Sequence, residues 1–249
     1  MATANPAMNE AVYRRAGRAD ASTSGMTIQG AVIKTAILVV ILIVTATYTW
    51  SQTAAGNTSL AYGLLIGGLI GGFLTALVTI FVPKVSPITA PIYAALEGLV
   101  LGAISAVFET QYPGIVIQAV GLTIGVLMMM LFVYGTGIIR ATEKFKIGVV
   151  AATGAVCLVY LVDIVLSWFS IRIPFIHESG MVGIGFSLVV VVIAALNLIL
   201  DFDFIEQGVN QQAPKYMEWY GGFSLLVTLV WMYLEILRLL AKLRGGSRG

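Results

Sequence analysis

The chain has 249 residues, 59% of them hydrophobic and 10% charged, with a net charge of +2 and a mean hydropathy of +0.96. A soluble domain of this length carries about a quarter charged residues, so this surface cannot be dressed for water, and no nucleic-acid partner is expected. Apolar runs of membrane-spanning length use up most of the chain and leave no room for a soluble catalytic domain.

In chain order, residues 1–30 are polar and carry Arg14, Arg15, Arg18 and Asp20 before a small-residue patch, Ala21–Gly25. A cleavable signal would place its apolar core closer to Met1, so this segment is expected to be a flexible cytoplasmic tail. Span one runs over Ala31–Trp50. The sequon Asn57-Thr58-Ser59 follows, pressed against the membrane, and is read as chance. Span two, Leu60–Val82, has Gly63, Gly67 and Gly71 four apart, and Gly68 and Gly72 likewise. Span three, Ile88–Phe108, repeats that spacing at Gly98 and Gly102, which lets helices approach closely in lipid. It also carries Glu97. Spans four and five are Ile115–Ile139 and Ile147–Phe169, the latter with Asp163 and a lone Cys157 that excludes a disulfide framework or thiol metal site. Span six, Met181–Leu200, closes on "LNLILDFDFIEQG", which places Asn197, Asp201 and Asp203 within two turns. Span seven, Gly221–Ala241, contains Glu235 with Arg238 at i+3, a candidate counter-ion. Residues 244–249 form a short basic tail. Pro83, Pro87, Pro91, Pro113, Pro174 and Pro214 fall between or at the ends of spans, where a lost N–H costs least. The expected fold is an all-α membrane protein with one seven-helix transmembrane domain over residues 31–243.

Basic residues set the orientation. Arg14, Arg15, Arg18 and Lys34, then Lys84, then Arg140, Lys144 and Lys146, then Lys215 all fall on one side, and the alternate loops hold only Arg172. The N-terminus is expected in the cytoplasm and the chain in the cell membrane, multi-pass. Arg238, Lys242, Arg244 and Arg248 then break the pattern. Seven full crossings are expected from the length of span seven; six crossings and a re-entrant last segment is the alternative.

Function has to reside in the acids at membrane depth. Each costs at least ~2.5 kcal/mol at the bilayer centre if charged, and Glu97, Asp163, Asp201 and Glu235 stand among very few cations. Asp163 is placed near the outer end of span five, within reach of solvent. Asp203 lies about 200° around the helix from Asp201, whereas Asn197 shares a face with it, so Asp201 is expected to be the inward acid. No enzyme is indicated. Ser105 and Ser187 lack a base at depth, since the single histidine, His177, falls in a loop. Asp163 and Asp201 lack the context of an intramembrane aspartyl pair, and no phosphate-cradling loop or metal-ligand cluster is present in the sequence.

Three motifs, in order and spacing, resemble the Bax inhibitor family of transmembrane proteins: "PIYAALEGLVLGAISAVFE", "LILDFDFI" and "MYLEILRLL". The resemblance covers about residues 30 to 243, and the N-terminal "NPAMNEAVYRRAG" suggests a bacterial-type branch. It implies a seven-helix bundle with a central C-terminal helix and a pH-sensitive calcium leak. In that picture Asp201 and Glu235 form a carboxylate pair that shares a proton, gates the pore and binds calcium transiently. Glu97, Asn197, Asp163 and Arg238 would be pore or supporting polar residues. Glu in place of the family's second Asp adds a methylene, and Phe202-Asp203 departs from its sixth-helix signature.

Two close carboxylates cannot both ionise cheaply, so a shared proton becomes a switch. If span six ended at Leu200, Asp201 would sit at the boundary with Glu235 ~21 Å deeper. If the helix continues towards Pro214, Asp201 lies ~18 Å above the turn. Residues 201 to about 212 are therefore predicted to be helical. The expected partners are the lipid bilayer, calcium and a membrane-protein partner, with no cofactor beyond calcium and protons as transported or regulatory ions. The alternative is a non-conducting scaffold regulating a membrane protease or stress response; a proton-coupled small-solute transporter ranks third.

Overall fold

The computed structural model describes residues 25–169 and 180–246. Arg14, Arg15, Arg18, Arg172, Pro174, His177 and Arg248 lie outside them. Among the described residues seven helices are long and apolar enough to cross a membrane: α1 (Ile28–Ala54), α2 (Thr58–Phe81), α3 (Ser86–Gln111), α4 (Ile115–Gly135), α5 (Glu143–Trp168), α6 (Met181–Asn210) and α7 (Met217–Gly246). A single 3-10 turn, Pro83–Val85, links α2 to α3, and no strand longer than an isolated bridge occurs among the described residues.

The helix ends follow from local chemistry. Thr27 caps α1 by accepting the Gly30 N–H, and Thr142 caps α5 through Phe145 N–H. At the end of α6, Gln212 adopts φ 53°, its N–H donates to Val209 O, and Ala213 N–H reaches back to Gly208 O. This left-handed cap satisfies two terminal carbonyls, and Pro214 prevents continuation. α6 therefore runs ten residues past Leu200, as predicted. The same cap closes α1 at Gly56 and α4 at Gly137, both with positive φ. α1 starts three residues before Ala31 and α7 ends three after Leu243. Pro91 lies inside α3, not beside a loop, because α3 already begins at Ser86.

The chain divides into two compact units. The first holds the chain up to Gln111 with Asp201–Val227. Here α3 packs on α1 through Gly98 and Gly102: a Cβ on Gly98 would collide with Thr45 Oγ1 and Leu42 O, and one on Gly102 with Ala46 O. α2 meets α3 through Gly68 against Leu96 and Val100, and through a hydrogen bond from Thr79 to Thr89 at 2.8 Å. The first half of α7 adds Tyr220 and Phe223, the latter edge-on to Tyr93 at 5.0 Å. The second unit holds Tyr112–Leu200 with the chain from Thr228 onward, built from α4, α5, most of α6 and the second half of α7. α7 is the most buried helix, 61% of its most apolar stretch against 11–50% elsewhere. Large apolar side chains such as Phe73, Leu158 and Val189 are exposed on other helices, a surface that suits lipid and not water.

The glycine spacing in α2 is only partly used. Gly63 and Gly67 have open space where a Cβ would go. Gly98→Ala and Gly102→Ala are expected to cost about 1–3 kcal/mol each, because the new methyl meets a backbone carbonyl. Gly63→Ala and Gly67→Ala are expected within ~0.5 kcal/mol. Thermal unfolding in detergent measures the contrast, and equal losses at all four positions would refute the packing described for α1 and α3.

Candidate functional site on the last helix

α7 carries a polar stripe along its length. Ser224, Thr228, Trp231, Glu235, Arg238 and Lys242 recur at steps of three and four, so they share one face of the helix. Ser224, Thr228, Glu235 and Lys242 are buried. A buried carboxylate or ammonium must find hydrogen-bonding partners, since desolvating it costs several kcal/mol.

Glu235, 1% exposed, has three kinds of donor in its unit. The Tyr160 hydroxyl of α5 lies 3.0 and 2.9 Å from its two oxygens. Trp231 Nε1 donates at 3.3 Å and Arg238 Nη1 at 2.8 Å to Oε1. The Arg238 guanidinium also sits 5.3 Å from the centre of the Tyr160 ring, and Tyr160 is braced edge-on by Phe186 of α6. Arg238 is thus the counter-ion, with a side chain 47% exposed. One turn on, Lys242 Nζ donates to Gly183 O at 3.0 Å and Ser187 Oγ at 2.9 Å, both on α6. Arg244 ends the helix by donating to Tyr112 O, Pro113 O and Gln118 Oε1. Between α5 and α6, Asn197 Nδ2 donates to Thr153 Oγ1 and to Ile193 O, both at 2.8 Å.

In the first unit, Asp201 is fully buried and its Oδ1 accepts from Ser224 Oγ at 2.9 Å. Asp203 is half-buried and accepts from Gln207 Nε2 at 2.6 Å, so Asp201 is the inward member of the two. Asp201 and Glu235 belong to different units, the first with Ser224 and the second with Tyr160 and Arg238. Glu97 turns its carboxylate to Gly72 of α2, with Oε2 3.4 Å from the position of a Cβ there. Asp163, expected near solvent, is buried within α5. At the start of α7, Glu218 is buried and accepts from the N–H and hydroxyl of Thr27, with Lys215 beside it at 3.0 Å. Gly30 has no room for a Cβ because that carboxylate occupies it. Among the described residues no group of three or more His, Cys, Asp or Glu is placed to hold a metal ion.

Sequence reasoning missed Tyr160, Ser224, Lys242 and Glu218 as partners. The stripe itself was visible in the sequence: Glu235, Arg238 and Lys242 follow i, i+3, i+7. Tyr160 and Ser187 carry no local signal, because their partners lie on another helix.

Fold and site together define a polytopic helical membrane protein whose most buried helix presents a polar, charged face. A family model described as Bax inhibitor 1 like matches residues 5–245. The chain belongs to that family. Comparison with curated proteins and with solved structures gives no match.

Proposed function

We propose that the chain is a proton-regulated cation leak, with calcium as the divalent ion, and that the carboxylates of Asp201 and Glu235 are its proton-responsive groups. The observation that supports this is the polar stripe on α7, the most buried helix. Ionisable side chains at membrane depth mark ion and proton paths because lipid gives them no other compensation. Ionised, each carboxylate is a fixed negative charge that a divalent cation can visit; protonated, it offers none. At Glu235 the visiting ion competes with Arg238, whose half-exposed side chain can turn to the headgroups. Flux is expected to rise with pH.

The basic residues support an N-terminus in the cytoplasm and a place in the cell membrane. The test is calcium entry into liposomes holding the purified protein and a trapped indicator, between about pH 6 and 8. A pH-dependent flux supports the leak. The alternative, a non-conducting scaffold for a membrane-protein partner, is favoured by the ties on α7, Glu218 to Thr27 near its start and Arg244 to the Tyr112–Pro113 carbonyls near its end. Silent liposomes would select it.

A further inference from the structure

Lys242 behaves unlike a lysine near the end of a membrane helix. Such a side chain ordinarily extends outward so that its ammonium reaches water or headgroups. Lys242 is 8% exposed, while its apolar neighbour Leu243 is 47% exposed. The ammonium turns inward to a main-chain carbonyl and a hydroxyl in the first two turns of α6. Taking that ammonium out of water is the main electrostatic cost of the placement, which Glu235 offsets in part and Arg238 adds to. Carbonyl and hydroxyl oxygens are the ligands that replace the hydration shell of a small monovalent cation.

We propose that Gly183 O and Ser187 Oγ belong to a monovalent-cation site which the Lys242 ammonium occupies as a tethered plug. The plug sits at the Arg244 end of the polar stripe and holds the place of a passing ion. Its role in limiting flux rests on the chain forming a conducting path, the part of the leak reading that does not depend on pH, whereas the site itself does not.

Two measurements on the full chain separate these. Lys242→Ala is expected to melt several degrees below the parent, and n-propylammonium is expected to restore much of that loss. Tetramethylammonium, which cannot donate a hydrogen bond, should not. In liposomes, Lys242→Met is expected to raise potassium flux severalfold over the parent, and Lys242→Arg, which keeps a cation, to leave it low. Failure of propylammonium to act differently from tetramethylammonium would overturn the site. Rescue with unchanged potassium flux in a folded Lys242→Met protein would overturn the plug. If the parent shows no pH-dependent calcium flux but Lys242→Met conducts potassium, the pH-regulated leak fails and the plug stands.

Discussion

Glu235→Gln is expected to abolish the pH dependence of calcium flux while leaving the protein folded. The amide keeps the shape of the side chain and one acceptor oxygen, which either the Tyr160 hydroxyl or Arg238 can use. Its other end becomes a donor, which the Tyr160 oxygen can accept. What disappears is the negative charge. Hydrogen bonds to a charged group contribute about 1.5–3 kcal/mol each. The Arg238 share is smaller, since its side chain is 47% exposed and its pairing is screened. The protein should therefore lose stability without unfolding, and calcium flux at the upper end of the pH range should fall to the level seen at the lower end. Tyr160→Phe is the companion variant: it removes a donor but keeps the charge, so a pH response should survive. The measurement is flux against pH for the three proteins in the same liposomes. A full pH response in Glu235→Gln would remove Glu235 from the mechanism.

The architecture was legible because lipid imposes it: apolar runs of the right length must be helices, and positions such as Gly98 and Gly102 announced close packing. The continuation of α6 past Leu200 was also legible, because Pro214 is the first residue that forbids a helix there. The glycine spacing in α2 overstated its use, since a small residue permits approach without compelling it; Gly63 and Gly67 have open space around them. Within the candidate site, Arg238 was found because i+3 is a local relation. Asp163 was read as within reach of solvent from its position near the outer end of span five, whereas it is buried, which depends on what packs against it. Ser224 and Tyr160 were invisible for a like reason. A hydroxyl carries no charge signal, and its role is set by a partner 23 residues away on α6 or 75 residues away on α7. Glu218 lies before Gly221, outside the stretch read as span seven, and its role is set by Thr27, whose N–H and hydroxyl it accepts 191 residues away.

Asp201→Asn is expected to weaken the pH response strongly, and Asp203→Asn to leave it nearly intact. The two acids differ by two positions, about 200° around α6, and their surroundings differ accordingly. Asp201 is fully buried beside Ser224, whereas Asp203 is half-buried and bonded to Gln207 on its own helix. In Asp201→Asn the side-chain oxygen still accepts from Ser224, so the tie between α6 and α7 remains and the stability change should stay near ~1 kcal/mol. The charge at membrane depth is gone, and with it the group that a proton can switch. In Asp203→Asn the amide can still bond Gln207 through its oxygen, and the lost charge lies where it is partly solvated. Ser224→Ala completes the set by keeping the Asp201 charge and removing the Ser224 hydroxyl; it should cost about 1.5–3 kcal/mol for the lost hydrogen bond to a charged group, while a pH response persists. Flux against pH and thermal unfolding, run on all three variants, separate charge from scaffolding. Should Asp203→Asn be the damaging change and Asp201→Asn silent, the proton-responsive face of α6 would be the opposite one.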